Sequence, residues 1–317
     1  GNIQFTQNSI SGNFGDSTVA GNELYGVIAS QDGDWLVNKN IILNNEVNVS
    51  NGFFLGVYLD FVLDAEVTQN LVASNFGYSE TIGIYSANYS VSYKRDFYHN
   101  TVVDRKSTST SHGSALIYLD DDGDVNVVGN ILDGDGRGRI FPAYIASFAT
   151  LGEISGNSIY LKNYLSQTWA LANNTFTNFT GWFNSTLSSK DNYYINTRFV
   201  DEKSGDYRSR EWKNQNNIKK QSFIISDLYG KKRNAMYCDR GAICDSFNLQ
   251  ILIPFTSWSD SVCSGFEVDE LWPVVNHYGD TVEEVNLSYW ANNKLNTESF
   301  IVKIAPNDTA FLDLGEP

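Results

Sequence analysis

The segment FTQNSI, residues 5–10, recurs in altered form six times within the first 190 residues of the chain. The related segments are ILNNEV (42–47), VTQNLV (67–72), FYHNTV (97–102), VVGNIL (127–132), ISGNSI (154–159) and LANNTF (171–176). Each has an Asn at its fourth position, with an apolar residue three places before it and another two places after it. Asn tolerates a left-handed backbone, and its amide can bond the same residue in a neighbouring coil. The repeat therefore predicts an asparagine ladder formed by Asn8, Asn45, Asn70, Asn100, Asn130, Asn157 and Asn174.

A second repeated pattern lies between the Asn segments. It reads GVIAS (26–30), GVYLD (56–60), GIYSA (83–87), LIYLD (116–120) and AYIAS (143–147). Short segments of this kind are typical of strands, and no helical apolar period separates them, which excludes a βαβ arrangement. A repeat of about 25 to 30 residues with several short strands predicts one coil of a solenoid. We therefore predict an all-β fold built on a parallel β-helix.

The Asn-corner repeat resembles the right-handed parallel β-helix proteins of the pectate-lyase-like superfold, over residues 1–245. NYYINTRFVD (192–201) and SGDYR (204–208) resemble the last rung of such helices. DLYGKKR (227–233) and DRGA (239–242) are similar to a closing signature of secreted and cell-surface β-helix proteins. In that signature an acidic residue usually follows, whereas Cys244 holds its place here. The resemblance implies an extracellular or surface-displayed protein, and its polysaccharide-acting members work in a groove along stacked strands, often with Ca2+ or a Lys or Arg base.

Composition divides the chain into three predicted parts. Residues 1–197 form the coils, residues 198–245 form the closing rung and a basic cap, and residues 246–317 form a small β-sandwich-like domain. Residues 198–240 hold 11 of the 22 basic residues, whereas the flanking parts are acidic. The strands of the sandwich are expected in ILIPF, ELWPVVN, VEEVNLSYWAN and SFIVKIA.

Charge and hydropathy exclude several functions. The net charge of -15 argues against general binding of nucleic acids, which requires a basic surface. No apolar run approaches the length of about 18 residues that a membrane span needs. Three cysteines, Cys238, Cys244 and Cys263, allow at most one internal disulfide. The first coil has an open sheet end, so we expect either a missing segment over it or self-assembly through it.

Charged residues at equivalent positions of different coils are the first candidates for catalysis. Asp60 and Asp120 hold the same position two coils apart, with Ala87 between them. Coils stack at about 4.8 Å, so the two carboxylates would lie about 10 Å apart, near the upper limit for an inverting glycoside hydrolase. Asp120, Asp122 and Asp124 alternate along the chain as in a loop that binds a hard cation such as Ca2+. The alternative for the pair is that strand-end Asp residues cap turns, and the alternative for the cation loop is a solvated acidic turn.

A polyuronate lyase would need other residues, because it neutralises the substrate carboxylate and removes the C5 proton. Basic side chains that fall on three successive coils are the candidate ligand-binding residues: Lys94, Arg95, Arg105, Lys106 and Arg139. Arg137 and the nearby His112 join Asp60 and Asp120 as candidate catalytic residues. His99, next to a ladder Asn, is predicted to be structural.

Aromatic residues are a further means of binding sugars, because exposed rings stack on them. Tyr58, Tyr85 and Tyr118 form a column beside the Asp column, and the pattern leaves open whether it faces the core or the surface. Three tryptophans, Trp35, Trp169 and Trp182, are assigned to turns or loops, where they either bind sugars or pack over coil ends.

The functional interpretation combines these features. The leading prediction is an extracellular or surface-displayed protein with a structural, adhesive or glycan-binding role, whose partner is a polysaccharide or glycoconjugate. The alternatives are a polysaccharide lyase or glycoside hydrolase acting on the face of residues 94–139, and a phage or viral tailspike, which trimerisation would support.

Overall fold

A computed structural model describes residues 2–15, 23–30, 33–88, 93–105, 113–121, 124–136, 138–145, 150–163, 166–171, 174–185, 191–209, 218–219, 224–233, 237–238, 240–243, 249–251, 271–276, 282–291, 294–304 and 308–313. The chain forms two compact units, Gly1–Cys244 and Asp245–Pro317. Each unit is built from strands, and the strands are numbered below in chain order.

Two sheets of the first unit carry the strands on either side of the ladder corner. Sheet A consists of β1 (Asn2–Thr6), β5 (Asp34–Asn38), β9 (Ala65–Thr68), β13 (Lys94–Tyr98), β16 (Asp124–Val128) and β19 (Thr150–Ser155). Sheet B consists of β2 (Ser9–Ser11), β6 (Ile41–Leu43), β10 (Leu71–Ala73), β14 (Thr101–Asp104), β17 (Ile131–Asp135), β20 (Ser158–Lys162) and β24 (Tyr193–Tyr194). Within each sheet, neighbouring strands are parallel.

Two further sheets complete the coils. Sheet C is short and consists of β3 (Phe14–Gly15), β7 (Glu46–Val47) and β11 (Phe76–Gly77). Sheet D contains β4 (Glu23–Ser30), β8 (Phe53–Asp60), β12 (Glu80–Asn88), β15 (Gly113–Asp121) and β18 (Arg139–Ile145), and ends with β21 (Ser166–Gln167), β22 (Trp169–Leu171) and the antiparallel β23 (Asn174–Phe176). Strands adjacent in a sheet come from successive coils, so the predicted parallel β-solenoid is confirmed.

The interior of the solenoid is filled by apolar side chains that alternate along each strand. Val57 and Leu59 of β8 are buried, whereas Tyr58 between them is half-exposed. The same alternation holds in β15, in which Ile117 and Leu119 are buried. Successive residues of a strand point to opposite faces. Each coil therefore has an apolar inner surface and an outer surface whose side chains do not take part in the core.

The asparagine ladder is present, but two of its members differ from the prediction. The ladder runs through Asn8, Asn40, Asn70, Asn100, Asn130, Asn157 and Asn192, and each Nδ2 donates to the Oδ1 of the next over 2.9 to 3.0 Å. Asn45 belongs instead to a second ladder, Asn13, Asn45 and Asn75, with bonds of 2.8 and 2.9 Å. Asn174 lies exposed in the antiparallel strand β23 and is in neither ladder. The predicted positions of Asn45 and Asn174 were therefore wrong.

The left-handed residue of the corner is also displaced from the prediction. It is the residue before each ladder Asn, with φ between 53° and 70°, at Gln7, Lys39, Gln69, His99, Gly129, Gly156 and Asp191. The buried His99 therefore holds a corner of the coil, as the sequence suggested. The Asn contributes its bonding amide, while its neighbour turns the chain.

One predicted register was wrong by one residue. Val27, Val57, Ile84 and Ile117 pair as the aligned GVIAS-type segments predict. In the next coil, however, Ile117 pairs with Ala143. Tyr144 is consequently the residue that lies beside Tyr118.

The described parts of residues 198–245, called the closing segment below, pack along the side of the solenoid, on the outer face of sheet B. A hairpin of β25 (Phe199–Asp201) and β26 (Asp206–Ser209), joined by a 3₁₀ turn (Glu202–Ser204), begins this closing segment, and β27 (Ile218–Lys219) pairs with β28 (Tyr237–Cys238). The apolar residues that cover the outer face of sheet B are Phe199, Tyr207, Leu228, Ala242 and Ile243. They pack on Leu71, Ala73, Val103 and Ile131.

The last coil is covered by the helix α1 (Phe179–Ser185). Trp182 of this helix is buried against Trp169, with ring centroids 5.4 Å apart, and its Nε1 donates to the carbonyl of Ala170. Both tryptophans therefore pack over the end of the apolar core.

The described residues of the second unit also form strands. The strands β29 (Leu249–Ile251), β30 (Leu271–Asn276) and β33 (Asp308–Asp313) form one antiparallel sheet, and β31 (Val282–Ala291) and β32 (Lys294–Ile304) form an antiparallel pair. Antiparallel strands are what the predicted sandwich-like domain requires.

Candidate functional site

The outer face of sheet D carries a row of tyrosines from successive coils. Tyr58, Tyr85, Tyr118 and Tyr144 are in register and half-exposed. Their ring centroids are 5.2, 5.4 and 4.3 Å apart along the row, and the last two pairs are stacked. The sequence predicted the first three members but not the side of the sheet they occupy, nor Tyr144. These four residues are called the tyrosine row below.

The tyrosine row and the predicted catalytic aspartates lie on the same side of the sheet. Asp60 follows Tyr58 by two residues and Asp120 follows Tyr118 by two, so the alternation of the strand sends all four side chains outward. Ala87 pairs with both aspartates, as the sequence predicted. Burial, Tyr144 and Asp120 raise the pKa of Tyr118, which keeps its hydroxyl protonated and able to donate.

A groove of about 280 Å³ lies beside the tyrosine row. Its lining residues are Glu80, Ile82, Tyr85, Ser114, Ala115, Tyr118 and Phe141. The depression has a simple cause: Gly113 lies between Glu80 and Arg139 in one register row, and Ala115 lies between Ile82 and Phe141 in another. Because the middle coil has small residues where its neighbours have large ones, the surface is indented there. This surface is called the sheet D groove.

Two aromatic rings meet at a right angle in the sheet D groove. The Phe141 ring is at 83° to that of Tyr118, with centroids 5.7 Å apart. Tyr85 stacks on the other side of Tyr118 at 8°. The groove is thus walled by ring surfaces in two orientations.

Glu80 is the charged residue of the sheet D groove. A Cβ placed on Gly113 would lie 3.5 Å from Glu80 Oε1, so the carboxylate lies over the bare backbone of that glycine. Burial raises the pKa of Glu80. Throughout the described residues, the Glu80 carboxylate has neither a hydrogen bond nor an ion pair. A half-buried carboxylate in this condition is available to a ligand.

The predicted basic residues are distributed over different faces. Lys94 and Arg95 belong to β13 of sheet A, where Lys94 Nζ binds Asp96 at 2.6 Å and the Arg95 side chain turns inward to the carbonyl of Val62 at 2.6 Å. Arg105 follows sheet B and pairs with Asp133 and Glu202 at 2.5 and 2.8 Å. Arg139 is exposed at the start of β18 on sheet D. The structure therefore does not bring these four side chains together.

Several predicted residues lie outside the described part of the chain: Lys106, His112, Asp122 and Arg137. Asp120 is the last but one residue of β15 and Asp124 is the first of β16, so they lie on either side of residues 122–123. Within the residues described, no group of three or more His, Cys, Asp or Glu side chains is arranged to hold a metal ion. The Ca2+ site of Asp120, Asp122 and Asp124 stays a prediction.

A second depression, of about 320 Å³, lies on the outer face of sheet A. Its charged residues are Asp34, Asp64, Glu66, Lys94 and Asp96. Burial and Asp96 raise the pKa of Glu66, while Lys94 lowers it. The sequence analysis missed this acidic surface, although an acidic residue recurs just before or within successive strands of sheet A. Trp35 lies in β5 beside it, and not in a turn as predicted.

Comparison of the chain with protein-family models, with curated proteins and with solved structures gave no match. No helix among the described residues is long and apolar enough to span a membrane.

Proposed function

We propose that this protein is an extracellular or surface-displayed β-helix protein of the right-handed, pectate-lyase-like kind that binds a polysaccharide or glycoconjugate. Its role would be structural or adhesive, and its binding surface would be the outer face of sheet D. The observation that carries the proposal is the half-exposed tyrosine row beside the sheet D groove.

Tyrosines in this setting combine two properties that sugar ligands need. Their rings provide apolar surface, and their protonated hydroxyls supply hydrogen-bond donors and acceptors. The row repeats with the coil, at about 4.8 Å, so it presents the same contact several times along one direction. A ligand with a repeating unit, such as a polysaccharide, meets these contacts repeatedly and gains affinity with each one.

A glycoside hydrolase is the second candidate, because Asp60 and Asp120 lie in one register row on the same face. Two coil spacings of about 4.8 Å put them near the upper limit for an inverting pair. A lyase has weaker support, since the four described basic candidates lie on separate faces.

The test is binding of the purified full chain to a panel of neutral, amino and acidic polysaccharides by affinity electrophoresis and calorimetry, with reducing ends recorded. We expect at least one glycan to bind, and Tyr85→Ala or Tyr118→Ala to weaken it about tenfold. Tyr160→Ala is the matched control, because Tyr160 is a half-exposed tyrosine on sheet B that contacts Tyr194. Equal losses in all three variants, or no binding across the panel, would contradict the proposal. Released reducing ends would favour the hydrolase.

A further inference from the structure

The described charged side chains on the outer face of sheet D are mostly acidic, and this charge bears on which class of glycan the face could bind. Among the described residues, the charged side chains of its five long strands include the acidic Glu23, Asp60, Glu80 and Asp120 and the basic Arg139. A polyanionic glycan on this face would meet mostly like charge, which costs free energy. A neutral or cationic glycan does not incur this cost.

The sheet D groove distinguishes between the two remaining classes, neutral and cationic glycans. An uncharged group that filled it would remove water from the Glu80 carboxylate and supply no opposite charge, which is unfavourable. An ammonium group would pair with that carboxylate by a charge-assisted hydrogen bond. The Phe141 ring, which stands at 83° to the stacked tyrosines and lines the same groove, would attract the same cation.

We infer that the sheet D groove binds the ammonium group of an amino sugar within the glycan, with Glu80 as its counter-ion. This inference rests on the proposed function, because it names the sugar class that the tyrosine row holds. Glu80 sets the preference for charge, and the gap above Gly113 and Ala115 makes room for the amino substituent. Acetylation of the amine removes the charge and enlarges the group, so the N-acetylated sugar is the disfavoured form.

The experiment compares two ligands that differ only at the amine. Oligomers of β-1,4-linked glucosamine and their fully N-acetylated counterparts, matched in length, are titrated into the full chain by calorimetry at about pH 6, where the amine carries its proton. We expect the glucosamine oligomer to bind about tenfold more tightly. Glu80→Gln should abolish this preference, because it keeps the shape of the side chain and removes its charge.

Two further variants separate a specific site from general attraction to an acidic protein. Glu153→Gln removes one exposed carboxylate from sheet A and should leave the preference unchanged. Ala115→Phe fills the groove while leaving Glu80 in place, and should also abolish the preference. Circular dichroism checks that each variant retains the strands.

The outcomes distinguish this inference from the function on which it rests. Equal binding of the two oligomers, or a preference that survives Glu80→Gln, would overturn the amino-sugar inference while glycan binding through the tyrosine row stood. An equal loss of preference in Glu153→Gln would overturn it as well, since it would show unspecific attraction. Absence of binding to these oligomers and to the whole panel would overturn both.

Discussion

The outer faces of sheets B and D belong to the same coils but differ in their side chains and in their exposure to solvent. Sheet B presents aliphatic residues, Leu71, Val103 and Ile131, and the closing segment buries them. Sheet D presents the tyrosine row, which stays half-exposed. Aliphatic side chains have no polar group to satisfy in water, whereas tyrosine has an apolar ring and a hydroxyl. The side chains of each outer face therefore determine whether the face must be buried by another segment or can remain in contact with water.

Charged residues show the same contrast. Asp133 of sheet B is fully buried, and it pairs with Arg105 at 2.5 Å beneath the closing segment. Glu80 of sheet D is half-buried, and no described residue pairs with it. A buried carboxylate that is paired is compatible with a stable fold. A carboxylate without a partner in a groove lowers the stability of the fold but can bind a cationic ligand. Sheet B is therefore the structural side of the solenoid, and sheet D is its candidate binding side.

The largest expected effect comes from the apolar contact under the closing segment. Ile131→Ala removes a buried side chain from this contact and should lower the free energy of unfolding by about 3 kcal/mol. Tyr118→Ala, on the uncovered face, should cost only about 1 kcal/mol, because it loses ring contacts and leaves no enclosed cavity. Urea denaturation of both variants measures the difference. Equal losses would show that both faces support the fold alike.

A second prediction concerns how closely the closing segment approaches sheet B. Gly241 has a φ of +78°, and a Cβ there would lie 2.4 Å from Thr101 Oγ1 and 2.8 Å from Ile131 Cδ1. Gly241→Ala should therefore destabilise the protein by about 2 kcal/mol, from backbone strain and from displacement of the segment.

Gly230→Ala is the control for this second prediction. Gly230 has a similar φ of +85°, but no atom lies within 4 Å of the added Cβ. Gly230→Ala should lower the free energy of unfolding by about 1 kcal/mol, from backbone strain alone. Thermal unfolding and limited proteolysis measure both variants. If Gly230→Ala costs as much as Gly241→Ala, the contact with sheet B does not determine the effect.

The success of sequence reasoning also differs between features. Strand alternation and coil stacking follow from short-range patterns, so the register of Asp60, Ala87 and Asp120 was predictable. The ladder was harder because two corners share one local pattern: Asn40 and Asn45 each have an apolar residue three before and two after. Both corners also have a left-handed residue before the Asn, Lys39 and Asn44, so only the partners across the coils tell the two ladders apart.

The sheet D groove could not be predicted from the aligned segments. It depends on which side chains are small in one coil and large in the two coils beside it. Gly113 and Phe141 both lie before the aligned segments of their coils, so the alignment does not include them. The contacts of the closing segment could not be predicted from its basic composition either. Its buried Arg233 and Arg240 donate to the carbonyls of Gly241 and Gly156, which no local pattern records.

The smallest expected effect tests the unpaired state of Glu80. Because burial raises its pKa, the folded state favours the protonated carboxyl relative to the unfolded chain. This contribution to stability is fully present below the ordinary pKa of Glu, about 4.3, and is lost as the pH rises through the raised pKa of the folded state. Glu80→Gln should therefore have a higher Tm than the unmodified protein at neutral pH, and the difference should vanish in acid.

Calorimetric scans of the two proteins across this pH range make the measurement. Glu153→Gln is the control at an exposed carboxylate, because its amide oxygen can still accept the hydrogen bond that Ser155 Oγ donates to Glu153. A lower Tm for Glu80→Gln at neutral pH would mean that the carboxylate has a favourable partner in the fold. Glu80 would then resemble Asp133, and the contrast between the two outer faces would no longer extend to their charges. A higher Tm would show that the protein retains Glu80 at a cost to its stability, which a role in ligand binding explains.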